Sequence, residues 1–566
     1  MNKSLFNIAL TGALLLLLGS TVAVKAQQPR DTANQVTITI QHADFLERVA
    51  ADTANSIMKL IGNVALKQGD NQLFCDSAYL DLDKNYVEAF GNVRIVQPGS
   101  NVQSDYLRYT GNTKQAFLKG NVGLTNGKDN LWAEELNYNT GTKLATYAQG
   151  GTLQTENTSL SSNGGAYNLN TKDARFTGEV YVTDPQYSTQ SEDLGYNTAT
   201  KVVTFFGPSV VTNDKSELRT AAGTYDTRNE VAHFTSRSSI QNQEQYIEAN
   251  RLDYNRITGE GLAVGEVVAL DTVQKITLYS DRATYNEISR VLLATEKPVL
   301  KKASENDSLF IRADTFYSAP VTALAAIQPV SKDTLAASAD TVKQAAAREK
   351  KSRKKRTADT AAALAVAPPQ PADTSAPRFF IGYRHVRVFS DSLQARCDSI
   401  SYSQADSVLR LMGDPVAWSR QSQITGDTIL LFTDSSRVRR LYVPNNAFLA
   451  ARSGPEKAEL FDQVQGRTLE GFFNDSSELE HALVWPNAET IQFVTDDAKR
   501  YIGVSQAAGE RIRIYFENGA IRHIVYEQDA TQTLTPLPQA DLPAMRLSRF
   551  KWREEERPKS RAELFE

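Results

Sequence analysis

The chain has 566 residues, a formal net charge of −4 and only two cysteines, Cys75 and Cys397. A net charge so close to neutral does not favour a strongly charged partner, and we predict no binding to nucleic acid. Two cysteines in a chain of this length exclude a scaffold built on disulfides. Frequent Asn, Thr, Tyr, Val and Gly in the body of the chain favour β structure.

The N-terminal residues 1–26 have the pattern of a cleaved secretory signal peptide. Lys3 supplies a positive charge, residues 5–18 are mainly apolar, and residues 24–26 (VKA) form a cleavage site. The apolar stretch is shorter than the about 20 residues that a membrane-spanning helix needs. We therefore predict an exported mature chain that is soluble on the far side of a membrane.

Residues 35–320 are built on a 29-residue repeat. Gly-Asn-Val occurs at residues 62–64, 91–93 and 120–122, and six of the eight positions reached by steps of 29 from Gly62 to Gly265 are Gly. A tyrosine recurs at the same interval without a miss: Tyr109, Tyr138, Tyr167, Tyr196, Tyr225 and Tyr254. Fixed intervals of this kind are the signature of repeat architectures, so we expect every unit to have the same structure.

Within each unit the apolar residues alternate, as in a β-strand that buries one face. Around Gly120 the alternate positions are Ala116, Leu118, Val122 and Leu124. A glycine in mid-strand marks a bulge or a bend, so one bend per unit would curl the stack into a trough or a closed roll. Short turns, such as residues 110–113 (TGNT), separate the strands and favour antiparallel pairing.

The repeat stops near residue 320. Residues 321–377 are rich in Ala, Lys and Pro and lack periodic apolar residues, so we predict a disordered linker. Its basic run at residues 347–356 (AREKKSRKKR) is interpreted as a solvated tether, with docking on acidic lipid headgroups as the alternative.

Strands resume over residues 378–530, which we predict to form a second, smaller β module. Tyr402 and Gly413 repeat the earlier spacing, and Asn518-Gly519 predicts a hairpin. Residues 531–566 form a charged C-terminal tail for which we predict loose order.

Residues that commonly carry catalysis are present without the arrangement that catalysis needs. The five histidines lack the spacing of metal ligands. No sequence motif for nucleotide binding or for a hydrolase lies in the strand-helix context that it requires. Five acidic residues share one position of the repeat: Asp76, Asp105, Glu134, Glu192 and Asp281. Other residues interrupt the series, which favours a polar ladder on the outside of the sheet over glycosidase chemistry or calcium binding. We predict no enzymatic activity, no catalytic residue, no metal and no cofactor.

Two further columns of the repeat have both a structural and a functional interpretation. Cys75 and Cys397 occupy equivalent places in a column of small residues, which favours packed thiols over a redox role. The tyrosine column is either a surface on which a ligand stacks or a cross-strand ladder that fixes the register. The ladder is the favoured interpretation.

The repeat resembles the OstA/LptA family of lipopolysaccharide-transport proteins. The resemblance is carried by FGNVRI (residues 90–95) with SDYLRYTGNTKQA (104–116), and by LKGNVGL (118–124) with AEELNYNTGTKLA (133–145). It covers residues 35–320 well and 378–530 more loosely.

The resemblance implies an all-β, repeat-built antiparallel β-jellyroll with an apolar interior. Such proteins bind the acyl chains of lipid A and pass lipopolysaccharide across the periplasm towards the outer membrane. By position, the resemblance implies nine lipid-groove candidates in the interior: Leu66, Ile95, Leu118, Val122, Leu124, Phe176, Val180, Phe205 and Phe234.

The expected location is the periplasm of a Gram-negative cell, with attachment to the outer or inner membrane through partners. Exposed terminal strands of such a stack invite pairing with other chains. We therefore expect contacts with other lipopolysaccharide-transport proteins and head-to-tail self-association.

Two other functions fit the pattern. One is a structural or adhesive β-solenoid with a filled core, and the other is a polysaccharide lyase or hydrolase on a parallel β-helix. The length of the chain and its second module leave the station in the transport pathway open.

Overall fold

The computed structural model describes residues 38–323 and 376–566, apart from 52–54, 304–307, 435–436, 475–477, 497, 499 and 518–519. The predicted signal peptide, nearly all of the predicted linker and the Asn518-Gly519 hairpin lie outside the described residues. The described chain contains 44 strands, all paired antiparallel, and no α-helix. The all-β, antiparallel fold predicted from the sequence is confirmed.

Long strands occupy the first repeats. They are β1 (Thr39–His42), β2 (Phe45–Ala51), β3 (Asn55–Gln68), β4 (Asn71–Asp81), β5 (Tyr86–Gln97), β6 (Ser100–Thr110), β7 (Gln115–Asn126) and β8 (Asp129–Asn139).

In the middle of the chain many strands are split in two at the bend. They are β9 (Leu144–Tyr147), β10 (Gly151–Gln154), β11 (Ser159–Ser162), β12 (Gly164–Asn168), β13 (Asp173–Thr183), β14 (Ser188–Asn197), β15 (Val202–Phe205), β16 (Ser209–Thr212), β17 (Ser216–Thr220), β18 (Gly223–Asp226), β19 (Val231–Phe234), β20 (Ser238–Asn242), β21 (Gln245–Ala249), β22 (Arg251–Asn255), β23 (Glu260–Asp271), β24 (Ile276–Asn286), β25 (Val291–Thr295), β26 (Val299–Ala303), β27 (Ser308–Arg312) and β28 (Thr315–Pro320).

The strands beyond the predicted linker continue the same alternation. They are β29 (Arg378–Phe389), β30 (Gln394–Ser403), β31 (Val408–Met412), β32 (Val416–Ser419), β33 (Ser422–Thr425), β34 (Thr428–Asp434), β35 (Arg437–Val443), β36 (Phe448–Ser453), β37 (Leu460–Gln465), β38 (Thr468–Phe473), β39 (Leu479–Trp485), β40 (Ala488–Thr495), β41 (Tyr501–Gly509), β42 (Arg511–Glu517), β43 (Ala520–Glu527) and β44 (Thr531–Pro536). Short 3-10 turns lie at Val321–Ala323, Glu456–Ala458, Leu537–Gln539, Leu542–Ala544, Glu554–Glu556 and Ala562–Leu564.

Each bent strand contributes to two sheets. One sheet, which we call sheet I, pairs the halves of β3, β5 and β7 that precede the bend with the halves of β4, β6 and β8 that follow it. The remaining halves of these strands form the second sheet, sheet II. The register shifts at each of these bends, for example between Lys119 and Val122. The apolar side chains between the sheets form one cluster that extends from Leu60 to Ile514. The fold is therefore a roll with one apolar interior.

The sheets are continuous across the predicted linker. β29 pairs with β27 and with β28, and its other edge pairs with β30. The strands on the two sides of residues 324–375 therefore share their backbone hydrogen bonds.

Unpaired edges lie at both ends of the stack. Among the described strands, β1 and β2 pair only with β3, β43 pairs only with β42, and β44 pairs only with β41. These are the edges at which a further strand can add.

Residues 537–566, the C-terminal strap, lie along the outer face of sheet II. Gln463 donates to the carbonyl of Met545 at 3.0 Å and accepts from the backbone N–H of Leu547 at 2.9 Å. Gln423 binds the backbone of Lys551 and Arg553 in the same way, at 2.7 Å each. The prediction of loose order is wrong for this segment, because buried glutamines satisfy its backbone.

Candidate functional site at the mouth of the roll

The bend that repeats along the chain depends on a glycine, an asparagine and an acidic residue. Gly120 and Asn121 have φ of +77° and +47°, and Asn121 Nδ2 donates to Asp105 Oδ2 at 2.8 Å. A Cβ at Gly120 would lie 2.6 Å from that carboxylate oxygen. Asn92 and Asp76 repeat the contact one unit earlier, at 2.9 Å. This geometry accounts for the Gly-Asn phrase and gives the acidic residues of these bends a structural partner.

The nine predicted groove residues all lie in the interior cluster, and none is more than 7% exposed: Leu66, Ile95, Leu118, Val122, Leu124, Phe176, Val180, Phe205 and Phe234. Leu118 and Phe176 are 0% and 1% exposed. Neighbouring side chains therefore enclose the middle of the roll in this state.

A cavity of about 60 Å³ remains between the sheets near the N-terminal end of the roll. Its apolar wall includes Leu66, Ile95 and Leu107, and its polar wall includes Gln97 and Tyr109. A volume near 60 Å³ corresponds to about two water molecules, well below the about 300 Å³ of a small-ligand pocket. An acyl chain would therefore have to displace side chains to enter.

Opposite the bends, the turns of the two sheets face each other across a line that we call the mouth. Tyrosine side chains span it: Tyr138 donates to Gln97 Oε1 at 3.0 Å, and Tyr109 donates to Gln68 Oε1 at 3.3 Å. In both pairs the partners are 41 residues apart in the chain. These two tyrosines therefore help to close the mouth from inside, a role that neither interpretation of the sequence included.

A buried carboxylate takes the place of glutamine one repeat further along the mouth. Asp129 accepts hydrogen bonds from the hydroxyls of Tyr167 and Thr198, both at 2.7 Å, and Lys172 lies 3.8 Å away. Burial, followed by this contact with Asp129, raises the pKa of Tyr167, and burial raises the pKa of Tyr138 to about 12. Both phenols therefore remain protonated donors across the mouth at neutral pH.

A row of lysines follows the mouth on the turns of sheet I. Lys114, Lys143, Lys172 and Lys201 are spaced by 29 residues and all have positive φ, between 56° and 65°. Lys143 Nζ donates to Gln97 Oε1 at 2.6 Å. This row was not predicted from the sequence, although its interval is that of the tyrosines.

A larger open groove of about 560 Å³ lies on the outer side of the roll, around the bends of β13 to β20. Its cations already have partners: Arg237 lies 2.8 Å from both Glu248 and Glu266, and Arg219 lies 2.6 Å from Glu217. The cations of the groove are therefore compensated, so the mouth is the stronger candidate site.

Both cysteines are buried and unpaired. Burial raises the pKa of Cys75 and of Cys397 to about 12, so both are thiols at neutral pH. In the part of the chain that the structure describes, no group of three or more His, Cys, Asp or Glu could hold a metal ion. The same residues contain no helix with the length and apolarity of a membrane span.

These features define a class: an antiparallel β-roll of stacked bent repeats, with an apolar interior and a mouth closed by side chains. The sequence profile of a family described as OstA-like protein matches residues 35–192. The match confirms, for that part of the chain, the OstA/LptA-like resemblance carried by the repeat.

LptH from Pseudomonas aeruginosa is one of the solved structures that show a partial likeness. It is described as the LptA-homologous periplasmic component of the conserved lipopolysaccharide transport device. The aligned residues are 15% identical and cover 25% of this chain and 95% of that one, with a TM-score of 0.20. No curated protein matches the chain.

Proposed function

We propose that this chain is a periplasmic protein of the lipopolysaccharide-transport type, whose roll shields the acyl chains of lipid A. The OstA-like match over residues 35–192 supports the class. The observation that carries the proposal is the single apolar interior from Leu60 to Ile514, with a cavity at the mouth near its N-terminal end.

The energetic reason for a long interior is the cost of apolar chains in water. Each exposed methylene costs about 0.8 kcal/mol, so a chain of twelve carbons costs roughly 10 kcal/mol. An interior of uniform apolarity removes this cost along its length without a deep minimum that would trap the lipid. Because the interior is enclosed around Leu118 and Phe176, entry requires the mouth to widen and the acyl chain to replace protein contacts.

Export of the chain and its partners belong to the same proposal. Residues 1–26 would direct it to the periplasm. The unpaired edges at β1 and β2, and at β43 and β44, would take strands of other transport proteins or of a second copy. A route along several rolls would then be continuous.

The test compares two substitutions on neighbouring residues of β5. Ile95 lines the cavity, whereas Val96 lies on the opposite face of the strand. The full chain is produced with its N-terminal segment in a Gram-negative host and extracted gently, and bound lipid is identified by mass spectrometry. We expect Ile95→Trp to lose lipid, because the indole fills the cavity, and Val96→Trp to keep it.

Circular dichroism checks that both variants remain folded. Equal lipid in the two variants would contradict the cavity as the entry point. Absence of lipid from the unmodified chain would favour the structural or adhesive solenoid, which the enclosed side chains of Leu118 and Phe176 also fit.

A further inference from the structure

The lysine row occupies backbone positions that lysine does not favour. Residues with positive φ are mostly Gly, Asn or Asp, and the left-handed conformation costs other residues about 1 kcal/mol. Neighbouring turns hold the Lys143 backbone in place: its N–H donates to Asn139 at 2.8 Å, and its carbonyl accepts from Leu169 at 2.9 Å. Successive lysines are two strands apart, roughly 10 Å. Four repeats thus place an amine at the same point of the mouth, against the local preference.

One of these amines is half-buried and forms no ion pair within the described residues. Lys143 Nζ contacts the neutral amide of Gln97 and lies 6.0 Å from the Tyr138 ring. In contrast, Lys172 faces Asp129, and Lys201 interacts electrostatically with Glu156. An ammonium group withdrawn from water without an anion is unfavourable, and burial lowers the pKa of Lys143. A bound anion would remove this penalty.

Gln97 supplies a second, independent indication of a ligand. Its side chain is 95% buried, since only 5% is exposed. Lys143 can only donate, so the amide oxygen must face it, and the amide nitrogen has no partner within the described chain. A buried donor left without an acceptor costs about 1–3 kcal/mol. Gln97 also lines the cavity beside Ile95 and Leu107, so the missing acceptor belongs at the boundary between the lysines and the apolar interior.

We propose that Lys114, Lys143 and Gln97 bind the phosphate-bearing headgroup of a lipid whose acyl chain lies in the interior behind them. This inference builds on the proposed function and adds the part of the lipid that the mouth recognises. Phosphate oxygens accept from both ammonium and amide donors, and an acyl chain attached to the headgroup continues into the apolar cavity. The tyrosines that bridge the mouth separate the two environments.

The test uses the full chain and two probes that differ only in the headgroup: phosphorylated lipid A, and the same lipid after removal of its phosphates. Dissociation constants are measured for the unmodified chain, for a Lys114→Gln/Lys143→Gln variant and for Gln97→Leu. The control is Lys119→Gln, because Lys119 lies on the outer face and pairs with Glu135 at 2.8 Å. We expect the double variant to bind phosphorylated lipid A at least tenfold more weakly, Gln97→Leu several-fold more weakly, and the control unchanged.

Binding of the dephosphorylated lipid should be the same in the unmodified chain, the double lysine variant and the Lys119→Gln control, because it depends on the interior alone. If both lipids bind the unmodified chain equally, the headgroup inference is wrong and the proposed function stands. If neither lipid binds, both are wrong. A third arm adds inorganic phosphate at millimolar concentration: full displacement of the phosphorylated lipid would show a site for free anions instead of a lipid headgroup.

Discussion

Replacing Gly120 by Ala tests whether the close contact at the bend holds the two sheets together. Gly120 has φ of +77°, and a Cβ there would lie 2.6 Å from Asp105 Oδ2, whereas Gly127 has φ of +69° and open space around it. The left-handed backbone alone costs an Ala about 1 kcal/mol. At Gly120 the carboxylate must also move, which weakens a charged hydrogen bond worth about 1.5–3 kcal/mol. We therefore expect Gly127→Ala to lower the free energy of unfolding by about 1 kcal/mol and Gly120→Ala by about 2–4 kcal/mol.

Urea unfolding followed by circular dichroism and tryptophan fluorescence measures the difference. Repeat proteins of this length do not unfold in one step, so the first transition of each variant is compared with that of the unmodified chain. Combining Gly120→Ala with Asp105→Ala should relieve the crowding, so the double substitution should cost less than the sum of the single ones. Equal shifts for Gly120→Ala and Gly127→Ala, or strict additivity with Asp105→Ala, would refute the explanation of the bend.

Three other expectations concern parts of the chain away from the mouth. Cys75 and Cys397 should resist a thiol reagent at pH 8 in the folded protein and react fully in guanidinium; fast reaction of the native thiols would contradict their burial. Burial raises the pKa of Asp462 to about 6, so the folded state holds this proton more tightly than the unfolded chain, whose carboxyl titrates near pH 4. Stability from this group should be full below about pH 4 and lost as the pH rises through 6, and Asp462→Asn should flatten that part of a melting-temperature profile. Deleting residues 540–566 should increase binding of a hydrophobic dye, because it uncovers aromatic side chains on sheet II; unchanged dye binding would show that the strap covers little.

The bends and the antiparallel strands could be predicted because their causes are local. A glycine that must adopt positive φ and an alternating apolar face recur every 29 residues, so each unit repeats the same evidence. The lysine row has the same interval, but lysines on turns are common. The contact of Lys143 with Gln97 beside the cavity, which suggests a role for the row, could only be seen in the structure.

Contacts that depend on closure of the roll could not be read from the sequence. The pairing of Tyr138 with Gln97 joins opposite turns across the interior, at a separation of 41 residues that is not a multiple of the 29-residue repeat. The strap is a clearer case: Gln423 meets Lys551, 128 residues away, and a glutamine in an alternating strand looks like an ordinary solvent-facing residue. The bend at Arg384 and His385 has φ of 61° and 50° without a glycine. The glycine that marks other bends in the sequence is therefore missing where packing holds the backbone in this conformation.

The position of the strap in the chain also determines when its contacts can form during synthesis. It lies C-terminal to every strand that it covers, and its rings Phe550 and Trp552 seal Phe461, at centroid distances of 5.2 and 4.8 Å. Chains emerge from the ribosome N-terminus first. That aromatic surface therefore remains exposed to solvent until the strap has been synthesised. A chain cut short before residue 537 would leave this aromatic surface exposed and open to aggregation and proteolysis.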